Sequence, residues 1–96
     1  MEEVKLYLDE KNHGHFFIND HDEQIAEMRI GISGDDLTAY HTEVSPAHEG
    51  KGLAKKLLSA MVDYPRKNQL KVIALCPYVL AQFKRHAQEY DDVWKK

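Results

Sequence analysis

Residues 49–64 read EGKGLAKKLLSAMVDY, in which two glycines stand directly before a run of apolar residues with helical spacing. Leu53, Leu57 and Met61 recur at intervals of four, so they share one face of a helix. Glycines at such a position let the backbone turn tightly and come close to a ligand. The stretch therefore predicts a glycine turn that opens an amphipathic helix over residues 50–64, which Pro65 ends.

Alternation of apolar and polar residues predicts four strands before this helix, over residues 4–9, 15–19, 24–32 and 37–44. The segments between them are short and rich in Asn, Asp, Gly and Ser, which are typical of tight turns. Short turns join antiparallel neighbours, so the first half of the chain is expected to be an antiparallel meander.

The second half of the chain continues with a strand and a helix. Residues 70–75 are nearly all apolar, which is typical of an interior strand covered on both faces. Pro77 suits the first turn of a last helix that extends to about His86, and Trp94 is expected to dock the polar tail. A helix between the fourth and fifth strands makes them parallel neighbours. The sequence thus predicts a single α+β domain over residues 1–96, in which an antiparallel N-terminal meander is followed by a parallel β-α-β crossover and a C-terminal helix.

Composition narrows the class of protein. The 96 residues carry a net charge of −3, which argues against a general nucleic-acid binder. One segment is locally basic and indicates an anion site; its residues are Lys51, Lys55, Lys56, Arg66, Lys67 and Lys71. Cys76 is the one cysteine, so no disulfide can form within the chain. No apolar stretch approaches the roughly 18 residues of a membrane span, and residues 1–3 do not begin a signal peptide. We therefore expect a cytoplasmic protein, a monomer or a weak dimer, with no nucleic-acid or membrane partner.

The glycine turn has the chemistry of a pyrophosphate site. The first N–H groups of a helix lack partners and lie at its positive end, and Lys51 and Lys55 add charge there. A glycine-rich helix entrance without a ligand is the alternative, because a short glycine motif alone is weak evidence. Two competing motifs fail: the dinucleotide fingerprint needs glycine where Lys55 stands, and the Gly-Lys-Ser/Thr ending of the P-loop is absent.

Residues 41–44 and 50–58 resemble the acetyl-CoA motif of the GNAT superfamily of N-acetyltransferases. Its Gln/Arg-x-x-Gly-x-Gly/Ala pattern corresponds to residues 49–54. The strand–loop–helix–strand–helix order and the Cys76-Pro77-Tyr78 turn match small stand-alone members, and the resemblance spans roughly residues 38–90. It implies a GNAT-like mixed sheet, acetyl-CoA as cofactor, and an amine acceptor that is either a small molecule or a protein.

The resemblance also implies roles for individual residues. Backbone N–H groups of residues 50–54 would hold the pyrophosphate, and the backbone of Glu43 and Val44 would pair with the pantetheine arm as an added strand. A splay between the fourth and fifth strands would admit the thioester, and an N–H near Val44 would polarise its carbonyl. The implied cofactor-binding residues are Thr42, Glu43, Val44, Glu49, Gly50, Lys51, Gly52, Leu53, Ala54, Lys55, Cys76, Tyr78 and Phe83.

Three features depart from the family's pattern. Glu49 replaces the usual Gln or Arg, which weakens the case for phosphate binding. Phe83 stands about where many members place a tyrosine that protonates the leaving thiolate. The helices that usually follow the first strand, and that commonly wall the acceptor site, are missing.

Three residues are candidates for catalysis. Cys76 stands at the start of the last helix, where the helix N-terminus favours the thiolate form of its side chain. Two functional roles are open for this residue: a nucleophile that takes the acetyl group, or a residue that lines the thioester pocket. The alternative is a small buried hydrophobic residue. His41 could deprotonate the amine near neutral pH, or merely pack or be solvated. Glu43 is a second candidate base, or an exposed strand carboxylate. His13 and His15 have no third ligand nearby, so we predict no metal site.

Together these observations lead us to expect an acetyl-CoA-dependent N-acetyltransferase that works by direct attack in a ternary complex. The phenylalanine at position 83 and the missing acceptor wall favour, as an alternative, a CoA-binding module without turnover. A structural domain that binds no nucleotide is a third hypothesis. Covalent transfer through Cys76 is a further alternative.

Overall fold

The computed structural model describes residues 3–96, in which five strands form one sheet in the order β1-β2-β3-β4-β5. The expectation about the acidic start of the chain concerns Met1 and Glu2, which lie outside the described residues. Strands β1 to β4 are antiparallel and β5 is parallel to β4, which confirms the predicted mixed sheet. The elements are β1 Val4–Leu8, β2 His13–Asp20, β3 Glu23–Ser33, β4 Asp36–Val44, a 3₁₀ turn Pro46–His48, α1 Leu53–Asn68, β5 Lys71–Ala74, α2 Pro77–Arg85 and α3 Ala87–Tyr90.

One hydrophobic cluster joins the sheet to the helices. The apolar stripe of α1 packs on one face of the sheet, here called the core face. Alternation along the strands turns the intervening side chains to the opposite face, here called the outer face. The buried residues of the core face and α1 include Phe16, Ile18, Met28, Ile30, Leu37, Leu53, Leu57, Leu58, Met61 and Val62.

A bulge in β4 decides which of its side chains reach the core face. Arg29 pairs with His41 and Ile30 pairs with Ala39, so Tyr40 is an extra residue in the strand. The extra residue reverses the alternation: Thr42 and Val44, after the bulge, lie on the same face as Ala39 before it. His41 and Glu43 consequently lie on the outer face.

The predicted end of the first helix is wrong, because α1 continues through Pro65 to Asn68. A proline inside a helix removes one intrahelical hydrogen bond. The side chain of Pro65 is buried in the core, which offsets that loss. Gln69 caps the end of the helix with a left-handed backbone (φ 59°), and its N–H donates to the Pro65 carbonyl.

The prediction that residues 70–75 form an interior strand is also wrong. Strand β5 lies at the edge of the sheet, and the Leu75 side chain is 60% exposed. Its apolar character has two other causes. Val72 packs in the core, and the tail covers part of the edge through hydrogen bonds from Val72 N–H to Val93 O (2.7 Å) and from Lys95 N–H to Val72 O (2.9 Å).

The C-terminal segment is more ordered than the sequence indicates. The predicted last helix is confirmed at Pro77–Arg85, and the short helix α3 follows it unpredicted. Trp94 packs against Phe83 with ring centroids 5.7 Å apart and bridges to β5, so it docks the tail as expected. None of the helices in residues 3–96 combines the length and the hydropathy needed to cross a membrane.

The hairpin of β1 and β2 depends on Gly14. A Cβ at this position would overlap the Tyr7 carbonyl, whereas a Cβ at Gly34, in the β3–β4 turn, would meet nothing within 4 Å. We expect Gly14→Ala to lower the free energy of unfolding by about 3 kcal/mol, because the overlap is with backbone that no rotamer change relieves. Gly34→Ala should lower the free energy of unfolding by about 1 kcal/mol, because the left-handed backbone at this position is the only source of strain for alanine. Urea denaturation of both variants measures the two losses, and equal losses would contradict the close approach of β1 at Gly14.

Candidate active site

The glycine turn before α1 has a bare surface. Gly50 (φ 84°) and Gly52 (φ 78°) both adopt the left-handed conformation that favours glycine. A Cβ built on either residue would meet nothing within 4 Å, so both Cα atoms face open space. The turn therefore presents its backbone, without side chains from these two residues, to whatever lies beside it.

The backbone N–H groups of this turn find no acceptor in the part of the chain that the structure describes. Those of residues 50–55 donate no hydrogen bond to residues 3–96, and the first bond of the helix runs from Lys56 N–H to Gly52 O (3.1 Å). None of the side chains in residues 3–96 caps α1, and its first turn contains no acidic residue. A row of free donors at the positive end of a 16-residue helix can bind an anion such as a phosphate group.

A cleft of about 330 Å³ adjoins the turn. Its walls come from β4, from the loop and first turn that lead into α1, and from the first turn of α2. It brings together a large part of the predicted cofactor-binding set: Thr42, Val44, Glu49, Gly50, Gly52, Leu53, Ala54 and Tyr78.

The basic residues of the predicted anion site are divided between two places. Lys51 and Lys55 are exposed beside the cleft. Arg66 and Lys71, from the same basic segment, instead bind the tail at Asp92, so this segment does not form one anion site.

Beside the cleft, β4 has an open edge. Pairing between β4 and β5 stops at Ala39, whose carbonyl accepts both Leu75 N–H (3.1 Å) and Cys76 N–H (2.8 Å) before the chain enters α2. Ser45 N–H bonds to Ile25 O in β3, so strand alternation directs the backbone polar groups of Val44 away from β3. Those of Thr42 point the same way. The backbone polar groups that face this opening are thus those of Thr42 and Val44, whereas the resemblance implies Glu43 and Val44.

Cys76 lies behind the wall of the cleft. Its side chain is 1% exposed at the N-cap of α2, and its Sγ is 3.2 Å from the Oγ1 of Thr42, which itself lines the cleft. Tyr78 follows two residues later, in the first turn of α2, and lines the cleft. Burial, with a smaller contribution from Cys76, raises the pKa of the Tyr78 hydroxyl, so this group stays protonated at neutral pH.

His41 and Glu43 lie on the other side of β4. Their side chains are 56% and 67% exposed on the outer face, with His41 Nε2 3.7 Å from Glu43 Oε1. The structure thus separates the three predicted catalytic residues: Cys76 lies on the core face, and the two candidate bases lie on the outer face. The open edge of β4 is the boundary between them.

Phe83, a predicted cofactor contact, does not line the cleft. Its side chain is fully buried and packs against Tyr90, with ring centroids 4.8 Å apart, and against Trp94. The sequence did not predict that α3 and the tail pack around Phe83. This aromatic cluster explains why an apolar residue occupies the position.

The sequence did not predict where two groups of polar residues lie. His48 lines the cleft from the 3₁₀ turn. Its Nδ1 is buried without a partner in residues 3–96, and its Nε2 is 3.6 Å from Asp20 Oδ2.

On the outer face, His15 Nδ1 bonds to Glu27 Oε1 (2.6 Å), and Arg29 Nη1 lies 3.6 Å from the same oxygen. Alternation alone places Glu27 and Arg29 on one face, but only the strand register brings His15 to them. No cluster of three or more metal-binding side chains occurs within residues 3–96.

A family model and a solved structure relate this chain to N-acetyltransferases. The family model described as GCN5-related N-acetyl-transferase matches residues 15–93. The solution structure of a GCN5-like N-acetyltransferase candidate from Staphylococcus aureus is 30% identical, covers 99% of this chain and 91% of its own, and superposes with a TM-score of 0.71. No curated protein sequence matches the chain significantly.

More distant structures share the fold. The ribosomal-protein-S18-alanine N-acetyltransferase of Escherichia coli is 18% identical over 69% of this chain and 43% of its own, with a TM-score of 0.62. A ribosomal-protein-alanine N-acetyltransferase of Brucella melitensis is 15% identical over 91% of this chain and 64% of its own, with a TM-score of 0.64. The family match over most of the chain and the similarity to the Staphylococcus aureus protein agree, and this chain belongs to the GCN5-related N-acetyltransferase family of acyltransferases.

Proposed function

We propose that this protein transfers an acetyl group from acetyl-CoA to a primary amine. The observation that carries the proposal is the row of unpaired N–H groups at residues 50–55, beside the open edge of β4. Acetyl-CoA offers a pyrophosphate for the first feature and an amide-bearing pantetheine arm for the second. The open space in front of Gly50 and Gly52 fits an anion held by backbone alone.

The open edge of β4 would hold the pantetheine arm. Backbone groups of Thr42 and Val44 face the side where β5 no longer runs, so they are free to pair with amides as an added strand would. One of these N–H groups would polarise the acetyl carbonyl, as in an oxyanion hole. Acetyl-CoA supplies an activated thioester, and the chain supplies the position and the polarisation.

The acceptor amine would approach from the outer face. His41 lies there beside the open edge of β4, and its imidazole would take the proton from the amine. Glu43 is near enough to orient the ring or to act as a base itself. Because the candidate bases and the cofactor cleft lie on opposite faces of β4, attack across the open edge needs no covalent intermediate on the protein.

Binding without turnover is the second candidate function. Phe83 cannot donate a proton, and its burial among Tyr90 and Trp94 keeps it away from the cleft. The outer face around His41 and Glu43 is exposed, which leaves the acceptor without an enclosing wall. Tight binding of CoA with no transfer to amines, peptides or water would favour this function.

Ligand-induced stabilisation tests the cofactor site. We expect CoA and acetyl-CoA to raise the melting temperature of the wild type, because a ligand bound only by the native state stabilises it by about 2.7 kcal/mol at a hundredfold excess over Kd. Gly52→Glu places a bulky carboxylate in the open space before the turn, and it is expected to abolish the shift.

Gly34→Glu is the matched control for that variant. Gly34 has the same left-handed backbone and the same open surroundings, but it lies in the β3–β4 turn outside the cleft. Both variants should melt below the wild type, and only Gly34→Glu should keep the response to CoA. A wild type that does not respond would overturn the proposed cofactor.

The catalytic route is tested by single substitutions. With acetyl-CoA and a panel of primary amines, His41→Gln should lower kcat by about 10²–10⁴, the usual contribution of a general base. His86→Gln, an exposed histidine at the junction of α2 and α3, should leave kcat unchanged. Cys76→Ala should retain transfer, because Cys76 is not expected to carry the acetyl group. Parallel double-reciprocal plots together with an acetyl adduct on Cys76 would instead establish covalent transfer.

A further inference from the structure

Glu49 is the acidic residue among those that line the cofactor cleft. It directly precedes the glycine turn, in extended backbone (φ −65°, ψ 151°), and it is exposed. Within residues 3–96 its carboxylate forms no ion pair within 4 Å and no hydrogen bond, although Lys51 and Lys55 follow closely in the sequence. Its negative charge is therefore not neutralised by a direct partner.

This carboxylate stands at a site whose other features favour anions. Free N–H groups at residues 50–55, the positive end of α1 and two exposed lysines all attract negative charge. A second negative charge close by repels an incoming phosphate and cancels part of that attraction. Glu49 does not occupy the site itself, because it accepts no hydrogen bond from the turn in the described residues.

We propose that Glu49 weakens the hold of the cleft on the pyrophosphate of acetyl-CoA and CoA, and so speeds the release of CoA after each transfer. The inference rests on the proposed function, since it takes the pyrophosphate to lie at the glycine turn. Glu49 would thus lower the affinity for the pyrophosphate, whereas a phosphate-binding residue raises it.

Weaker binding at this position acts equally on substrate and product. Acetyl-CoA and CoA share the pyrophosphate, so a repulsion directed at it changes both dissociation constants by the same factor. An interaction of equal strength in the ground state and the transition state alters KM and not the chemical step. Where product release limits turnover, looser binding of CoA also raises kcat.

The experiment divides the ligand into its charged and uncharged parts. Dissociation constants for CoA, inorganic pyrophosphate and S-acetylpantetheine, which carries no phosphate, are measured by NMR titration for the wild type, Glu49→Gln and Glu10→Gln. Glu10 is an exposed residue of the β1–β2 turn, outside the cleft, and serves as the matched control. Glutamine keeps the size of the glutamate side chain and removes its charge.

We expect Glu49→Gln to lower the dissociation constants of CoA and pyrophosphate by about three- to tenfold, as for a charge pair near a protein surface. The constant for S-acetylpantetheine should not change, and Glu10→Gln should match the wild type throughout. In steady-state assays Glu49→Gln should lower KM for acetyl-CoA without raising kcat.

Three results would overturn the inference. The first is an unchanged or weaker affinity of Glu49→Gln for CoA, which would leave the proposed function standing if the wild type binds CoA. The second is an equal gain for S-acetylpantetheine, which would show that the substitution acts through shape. The third is a wild type that binds neither CoA nor pyrophosphate, which would remove the proposed function and this inference together.

Discussion

The left-handed backbone of Gly50 and Gly52 is the constraint on which the candidate site depends. Two such residues close together bring the chain from β4 into α1 without side chains on the inner surface of the turn. The N–H groups of residues 50–55 are therefore left without acceptors at the positive end of a helix that the core holds through Leu53, Leu57 and Met61. Packing of the helix and the binding capacity of its N-terminus thus come from one short segment: the apolar stripe fixes the helix on the sheet, and the glycines keep its first turn accessible.

A second constraint lies in β4, where the extra residue at Tyr40 and the end of pairing at Ala39 occur side by side. The bulge turns Thr42 and Val44 to the core face, where they line the cleft beside the glycine turn, and turns His41 to the outer face. The loss of β5 as a neighbour leaves the backbone of the same residues open. One irregular strand therefore separates the cleft from the two candidate bases and provides the opening between them, which a regular strand paired along its whole length could not do.

The sequence predicted those elements whose signals are local. Alternation located the four antiparallel strands, and the glycines before an apolar stripe located the turn and α1. Features that depend on distant partners were missed or mistaken. Pro65 stays inside α1 because its ring is buried, β5 is apolar although it lies at the edge because the tail covers it, and Phe83 is buried by a segment whose place the sequence does not specify. The bulge at Tyr40 and the His15–Glu27 pair follow from strand register, which no local pattern encodes.

The binding of the pyrophosphate at the free N–H groups of the glycine turn is the central claim, and amide chemical shifts measured during titration with acetyl-CoA test it most directly. If the pyrophosphate binds there, the largest shifts in ¹H–¹⁵N spectra occur at residues 50–55, with further shifts at Thr42 and Val44 on the open edge of β4. Shifts concentrated at residues 84–89, which line a separate cleft with Lys84 and Arg85 at the junction of α2 and α3, would contradict this binding site, as would a spectrum that acetyl-CoA leaves unchanged.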